Sequence, residues 1–166
     1  MKRNVMSEVI RVGMADYKIC RPPQKISTLG LGSCLGVVLY DKTTQICGMA
    51  HVMLPDSHKI TKNKNRLKFV DTCLQDMYYE LLKRKVNPRN LTAKIAGGAK
   101  MFCYNTNNEF FNIGEQNVVA VHKKLESWSI PVLAEDVGNI YGRTIMFDPG
   151  TGELLIKAVG IGDSVI

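Results

Sequence analysis

The chain has 166 residues, of which 45% are hydrophobic and 22% charged, and its formal net charge is +7 at pH 7. This length and composition predict one globular domain over residues 1–166, without repeats or disordered halves. No apolar run approaches the roughly 18 residues of a membrane-spanning helix, and Lys2 and Arg3 follow Met1 where a signal sequence would be hydrophobic. We therefore expect a cytoplasmic protein without direct membrane insertion.

The first third of the chain is predicted to form strands around a glycine-rich loop. Residues 8–18 alternate with a period near two, which predicts one or two strands that end at Arg21-Pro22-Pro23. The loop at residues 28–36 leads into a short apolar strand at 36–40. A turn and a strand at 45–54 follow. Both faces of this last strand are largely apolar, which predicts burial on both sides.

The rest of the chain alternates between helices and strands. Apolar residues at steps of three and four predict amphipathic helices over residues 66–86 and 114–129. Strands are predicted over residues 91–96, 130–137, 143–147 and 153–159. Two helices and about eight strands predict an α+β domain with layered sheets. These patterns place the elements but leave the strand order open.

The number and spacing of the cysteines test two classes of protein, disulfide-rich proteins and zinc-binding proteins. The five cysteines, at positions 20, 34, 47, 73 and 103, form an odd set without a C-x-x-C pair. This argues against a disulfide framework and against a zinc ribbon or finger. We therefore expect free thiols.

The positive charge is concentrated in one run without acids, at Lys59, Lys62, Lys64, Arg66 and Lys68. No aromatic residue interleaves these cations, so the stacking surface of a single-strand nucleic-acid binder is missing and no nucleic-acid partner is expected. A solvated loop is the simpler interpretation. A loop that favours acidic protein surfaces is the alternative.

Cys34 is framed by Gly30, Gly32 and Gly36. Glycine permits positive φ and a close approach of a ligand to the main chain. Nucleophilic catalysis with an oxyanion hole needs a thiol and backbone N–H groups that face one substrate group, and this segment offers both. A tight turn around a small buried cysteine would have the same sequence, and this segment alone favours that structural role.

A cysteine nucleophile needs a base, and the chain has three histidines. His122 lies on the apolar stripe of the second helix, and His58 lies in the basic loop. His51 ends the strand that follows the one after Cys34, so a hairpin would bring His51 and Cys34 to the same sheet edge. A buried histidine bonded to a carbonyl would fit equally well. Metal binding by Cys34, His51 and His58 is weaker, because no further ligand completes a tetrahedral site; we expect no metal and no cofactor.

The segment T-L-G-L-G-S-C-L-G-V from Thr28, followed by G-M-A-H-V-M-L-P from Gly48, closely resembles the signature of the CheD family, the chemoreceptor glutamine deamidases of bacterial and archaeal chemotaxis. The likeness covers the chain from about Val9 onwards. It continues through G-G-A-K-M-F at 97–102, I-G-E-Q-N at 113–117, D-V-G at 136–138 and Gly142-Arg143. Two positions depart from the family pattern: Gln116, where a basic residue is usual, and Asn139, where glycine is usual.

The resemblance implies a role for each site residue. Cys34 would be the nucleophile, His51 its general base and acid, and Thr28 the residue that holds the imidazole in the useful tautomer. A neighbouring imidazolium would lower the pKa of Cys34 and keep it a thiolate at neutral pH.

Backbone N–H groups around Cys34, at Gly32, Ser33 and Leu35, would form the oxyanion hole. The implied fold is a layered α/β sandwich with mixed, mostly antiparallel sheets, similar to the catalytic domain of cytotoxic necrotising toxins.

The same resemblance implies two protein partners. The substrates would be glutamines on the cytoplasmic helices of methyl-accepting chemotaxis receptors, and the second partner would be a CheC-type phosphatase that binds over the deamidase site. Candidate contacts are Lys62, Lys64, Arg66 and Phe102. Each deamidation would release ammonia and leave a glutamate.

Three other functions remain open from the sequence. The chain could be a regulatory binding subunit for the CheC-type phosphatase with little deamidase activity. A thiol redox sensor would use Cys34 with Cys47 or Cys103 as the resolving thiol. A basic binding module would need neither Cys34 nor His51.

Overall fold

The computed structural model describes residues 6–60, 62, 64–101 and 112–166. Within these ranges the helices are α1 (Val70–Lys83) and α2 (Ile113–Ser127). The strands are β1 (Val9–Val12), β2 (Asp16–Cys20), β3 (Lys25–Leu31), β4 (Leu35–Asp41), β5 (Ile46–Val52), β6 (Leu91–Gly97), β7 (Val132–Val137), β8 (Arg143–Asp148), β9 (Glu153–Ala158) and β10 (Gly162–Val165). Short 3₁₀ turns lie at Ser57–Lys59, Arg66–Lys68 and Pro88–Asn90. Neither helix in the described part of the chain has the length and apolar character needed to cross a membrane.

The strands form two five-stranded sheets. The outer sheet has the order β1-β3-β8-β9-β10, and the central sheet has the order β2-β5-β4-β6-β7. Neighbouring strands are antiparallel except for the parallel pairs β1 with β3 and β6 with β7. The expected α+β class with mixed, mostly antiparallel sheets is confirmed.

The central sheet is buried on both faces. On β4, Val37 and Leu39 pack against α1 and α2, and Val38 and Tyr40 pack against the outer sheet. Because successive side chains of a strand point to opposite faces, the continuous apolar run of β4 is the sequence of a strand with a layer on either side. The predicted burial of both faces of β5 is confirmed in the same way, and the layers are outer sheet, central sheet and helices.

Three elements differ from their predicted extent. The strand β3 was predicted as part of a loop, because Gly30 interrupts its apolar pattern; Gly30 has φ +69° and lies in a register irregularity between Thr28 and Leu31. Helix α1 begins at Val70, after a 3₁₀ turn whose N-cap is Asn65. Strand β10 was missed because its residues are all exposed and show no alternation.

The connection that carries Cys34 crosses between the two sheets. The chain leaves the outer sheet at Leu31, the end of β3, and enters the central sheet at Leu35, the start of β4. Beside it, the buried Arg143 of β8 forms an ion pair with Asp136 of β7 at 3.0 Å between Nη2 and Oδ1. Arg143 also donates to the carbonyl oxygen of Gly138. This ion pair joins the outer and central sheets at the end of the molecule where Cys34 lies.

Candidate active site

Cys34 and His51 lie on the same face of the central sheet. The predicted hairpin is confirmed: β4 and β5 are antiparallel, and His51 is directly opposite Gly36. Cys34 precedes Gly36 by two residues and packs, half-buried, against the core between the sheets. Diagonal neighbours in a ladder have Cα atoms about 7–8 Å apart, within reach of long side chains. Cys34 lies one residue before Leu35, the first paired residue of β4, and its thiol makes no hydrogen bond with Nε2 of His51 in this structure. Because Gly36 is a glycine, it places no side-chain atoms between Cys34 and His51 on this face.

The Thr28 hydroxyl fixes the tautomer of His51. Its oxygen lies 2.8 Å from the carbonyl oxygen of Val12 and 2.7 Å from Nδ1 of His51. A hydroxyl has one proton, and the Val12 carbonyl can only accept, so that proton is donated to Val12. Nδ1 of His51 must then carry a hydrogen and donate it to Thr28. The neutral imidazole therefore has its lone pair on Nε2.

Nε2 of His51 is buried and has no hydrogen-bond partner among the residues that the structure describes. Such an atom costs free energy in a folded protein, which makes an unpaired buried lone pair a mark of a functional position. It is the atom that a general base would use. Nε2 therefore does not fit the alternative in which a buried His51 is hydrogen-bonded to a carbonyl oxygen.

Burial sets the protonation of the pair. Burial raises the pKa of the Cys34 thiol, and the hydrogen bond from its own backbone N–H lowers it by less. Burial also lowers the pKa of His51. Both directions favour the uncharged forms of the two groups, because burial penalises charge. They are opposite to the shift that an imidazolium would cause in the pKa of Cys34, and the thiolate at neutral pH stays a prediction.

The end of β6 holds the Cys34 loop in place. The backbone N–H of Gly98 donates to the carbonyl oxygen of Cys34, and that of Ala99 donates to the carbonyl oxygen of Gly32, each at 2.8 Å. Gly97 has φ +114°, and a Cβ there would overlap the Cys34 carbonyl oxygen. Only glycine permits this backbone approach.

Asn117 of α2 joins the loop to the strand that carries His51. Its Nδ2 donates to the carbonyl oxygens of Ser33 and Met53, each at 3.0 Å. Met53 directly follows β5, so a single buried amide links the two halves of the site. Two carbonyl acceptors facing Nδ2 allow only this orientation of the amide. Sequence reasoning named Asn117 only as part of the I-G-E-Q-N motif and assigned it no role.

The fixed carbonyls determine where the loop's N–H groups point. In a trans peptide, the N–H of one residue points opposite to the carbonyl of the residue before it. The carbonyls of Gly32 and Ser33 accept hydrogen bonds from inside the protein. The N–H groups of Ser33 and Cys34 therefore point away from those donors. Leu35 was also expected to contribute its N–H group to the oxyanion hole. It is the first residue of β4 and lies opposite Val52 in the ladder with β5.

The other two histidines lie elsewhere. Nδ1 of His58 is 2.9 Å from Asp56 and 3.6 Å from Asp71, and the side chain is 87% exposed. His122 was predicted to lie on an apolar stripe, but its Nε2 contacts Glu135 of β7 at 2.6 Å. The structure therefore places neither histidine with Cys34.

The predicted partner contacts are only partly available. Lys62 and Lys64 are exposed. Arg66 is paired with Asp76 of α1 through Nη2 and Nε, at 2.8 and 3.2 Å. The loop that holds them starts just beyond β5, where the backbone N–H of Met53 donates to the carbonyl of Lys68. Phe102 lies outside the described residues.

Cys47 is too far from Cys34 to act as its resolving thiol. Cys47 is opposite Tyr40, near the other end of the hairpin. The separation is roughly six residues of a strand, about 20 Å, whereas a disulfide needs Cα atoms about 4.4–6.8 Å apart. The free thiols predicted at Cys20, Cys34, Cys47 and Cys73 are observed; Cys103 lies outside the described residues.

The family model for CheD chemotactic sensory transduction matches residues 53–158. The chain belongs to the CheD family. The probable chemoreceptor glutamine deamidase CheD of Lachnoclostridium phytofermentans is 54% identical to it over 155 residues, which are 93% of this chain and 96% of that one. The chemoreceptor glutamine deamidase CheD of Halalkalibacterium halodurans is 49% identical over 162 residues, 97% of this chain and all of that one.

These alignments to CheD proteins include the segment of Cys34 and His51, which precedes the range matched by the family model. Among solved structures, the Bacillus licheniformis hypothetical protein YfiH aligns with a TM-score of 0.45 at 16% identity, over 75% of this chain and 51% of that one. A likeness at this level says nothing about function.

Asn139, one of the two departures from the CheD pattern, has φ +61°, a conformation that asparagine adopts more readily than other non-glycine residues.

We expect Asn117→Asp to lower the free energy of unfolding by about 3 kcal/mol, because a carboxylate would face two carbonyl oxygens that now receive hydrogen bonds. Urea unfolding measures the change. Asn112→Asp is the matched control: this exposed residue is the N-cap of α2, where a carboxylate is favourable, so its effect should stay within about 0.5 kcal/mol. Equal urea midpoints for Asn117→Asp and the unsubstituted protein would contradict the role given to the amide.

We expect the alkylation rate of Cys34 by iodoacetamide to rise with pH throughout the range from about pH 6 to about pH 9, because only the thiolate reacts and burial raises its pKa. Mass spectrometry of the Cys34 peptide follows the reaction, with Cys34→Ala as the control for other thiols. A rate that levels off below about pH 7 would instead show a thiolate–imidazolium pair.

Proposed function

We propose that this chain hydrolyses glutamine side chains of chemoreceptors to glutamate, with Cys34 as the nucleophile and His51 as the general base and acid. The observation that carries the proposal is the Thr28 hydrogen bond to Nδ1, which leaves Nε2 unprotonated and, within the described part of the chain, without a partner, on the face of the sheet that also carries the thiol. The names of the CheD relatives supply the substrate.

In the first half of the reaction, Cys34 loses its proton to Nε2 of His51 as its sulfur attacks the side-chain carbonyl carbon of the glutamine. The carbonyl oxygen becomes an oxyanion, stabilised by the N–H groups of Ser33 and Cys34; losing one such donor costs other enzymes about 10²–10³ in rate. The imidazolium then gives its proton to the leaving nitrogen. Ammonia departs and a thioester remains.

In the second half, Nε2 of His51 takes a proton from water, whose oxygen attacks the thioester carbon. The second oxyanion occupies the same position as the first. When it collapses, the sulfur leaves, receives the proton from His51 and restores the thiol of Cys34. The product is glutamate, and the receptor gains one negative charge. A neutral starting pair suits this cycle, because both half-reactions begin with a proton acceptor at Nε2.

The substrate surface is proposed to combine an apolar rim with the basic loop. Leu29 is 53% exposed beside Thr28, and Met101 is 48% exposed with its side chain against Gly32. Both border the Cys34 loop, and an apolar rim suits the packing of a helical substrate. Lys62 and Lys64 would attract the acidic residues of receptor helices.

The family resemblance supports two further parts of the proposal. Residues 1–166 would form one deamidase domain that acts on the cytoplasmic helices of methyl-accepting chemotaxis receptors. A CheC-type phosphatase would bind over the Cys34 site and thereby regulate access to it.

We expect a receptor cytoplasmic fragment incubated with the protein to gain about 1 Da for each modified glutamine, because NH₂ is replaced by OH. Cys34→Ala and His51→Ala should abolish the gain. Thr28→Val should slow it by about 10²-fold or more, because the imidazole loses the acceptor that fixes its tautomer, and Thr28→Ser should retain most activity. Mass spectrometry of tryptic peptides measures all five proteins.

Two results would contradict the deamidase mechanism. Activity retained by Cys34→Ala would exclude the nucleophile. No mass gain on several receptor fragments, with the protein folded and its thiols reduced, would favour the regulatory subunit of a CheC-type phosphatase instead.

We expect Lys62→Gln with Lys64→Gln to lower kcat/KM for the receptor fragment by about threefold to tenfold at low salt and by less at high salt, because screening removes long-range attraction. Lys42→Gln with Lys85→Gln removes the same charge near the opposite end of the central sheet and is the control. An equal loss in both double variants would show that net charge alone matters.

A further inference from the structure

Two cysteines outside the candidate active site lie side by side. Cys20 ends β2 and Cys47 lies on β5, and the two residues are directly opposite each other in the antiparallel pair. Their Sγ atoms are 3.5 Å apart and buried. This contact lies at the end of the central sheet away from Cys34, and the proposed deamidation does not use it.

The backbone geometry already suits a disulfide. Directly opposed residues of antiparallel strands have Cα atoms about 4.5–5.5 Å apart, and disulfides form at Cα separations of about 4.4–6.8 Å. The two sulfurs need only approach from contact distance to bonding distance. Since the strands are fixed by their ladder, the pair is preorganised for one product.

One member of the pair lies beside a surface depression. Strand β2 is at the edge of the central sheet. Cys20 lines a surface depression of about 360 Å³ together with two exposed arginines, Arg21 and Arg84. Cys47 is fully buried behind it, with 0% exposure. Cys20, with 4% exposure, is therefore the thiol nearer to the surface, and Cys47 is the deeper one.

We propose that Cys20 and Cys47 are a reversible dithiol–disulfide modification site for small two-electron oxidants of the peroxide class. The contact between the sulfurs, the depression at Cys20 and the strand register carry this inference. It goes beyond the proposed deamidation and does not depend on it.

The chemistry divides between the two thiols. The hydrogen bond with Cys47 lowers the pKa of Cys20, although burial and Asp148 act in the opposite direction, and the pKa of Cys47 is raised. Cys20, which lies on the side of the depression, is therefore assigned as the attacking thiol: it gives up its proton and its sulfur attacks a peroxide oxygen, the O–O bond breaks, Cys20 becomes a sulfenic acid, and the departing hydroxide takes up that proton and leaves as water. The sulfur of Cys47 then attacks that of Cys20, and the hydroxyl departs with the Cys47 proton as a second water. Two electrons pass from the thiols to the peroxide.

The disulfide would fasten β2 to the strand that carries His51. Cys47 and His51 lie four residues apart on β5, and β2 also pairs with β5 at Asp16, opposite His51. Oxidation would thus lock the edge strand that supports the base while leaving Cys34 a free thiol.

The test is a peptide map of the folded, reduced protein after treatment with a small excess of hydrogen peroxide. After the peroxide is removed, the protein is unfolded in denaturant so that N-ethylmaleimide blocks all remaining thiols, and it is then digested with trypsin without reduction. We expect residues 19–25 linked to residues 43–59, lighter by about 2 Da than the two free peptides together and separated by dithiothreitol. Cys34→Ala should give the same linked peptide. Cys20→Ser should leave Cys47 blocked by N-ethylmaleimide.

Three results would overturn the proposal. The first is that Cys20 and Cys47 remain free thiols in folded protein whose Cys34 has been oxidised. The second is that Cys20 reaches the sulfinic acid without a linked peptide. The third is that the linked peptide forms only in urea, which would show pairing of unfolded chains. None of these results depends on deamidase activity, so failure here is distinguishable from failure of the proposed function.

Discussion

The single proton of the Thr28 hydroxyl determines the chemistry available at this site. The carbonyl oxygen of Val12, on the neighbouring strand of the outer sheet, accepts the hydrogen bond from this hydroxyl. Nδ1 of His51, on the central sheet, must therefore be the donor in its own hydrogen bond to Thr28. The hydrogen bond thus joins the two sheets as well as setting the tautomer. Any change that moved one sheet relative to the other would alter the direction of the lone pair on Nε2.

The other contacts around Cys34 maintain this relation between the sheets. The loop that carries Cys34 crosses from one sheet to the other, and it is held by backbone donors from β6 and by the amide of Asn117. The buried Arg143 forms an ion pair with the partly exposed Asp136 across the same end of the molecule. Such a pair contributes little net stability compared with apolar packing, but removing one partner is costly, so it favours one arrangement of the sheets over others.

Burial of the site has two opposite consequences. It favours the uncharged forms of Cys34 and His51, and a neutral thiol is less reactive than a thiolate. It would also strengthen the interaction of the proposed oxyanion with the N–H groups of Ser33 and Cys34, because electrostatic interactions are stronger where the local dielectric constant is low. Lys62 and Lys64 remain exposed, so the role proposed for them is in the encounter with a partner and not in the chemistry.

The sequence by itself determined the local features. The glycine-framed Cys34, the hairpin that brings His51 to it, and the burial of both faces of β5 follow from spacing and alternation, which are properties of short segments. It did not determine β3, because Gly30 interrupts the pattern of that strand. It also did not determine the strand order or the roles of Asn117 and Arg143. Those depend on contacts between residues distant in the chain, and one sequence contains no distances. The directions in which the pKa values of Cys34 and His51 shift were likewise decided only by the tertiary structure, because desolvation depends on which layers cover the site.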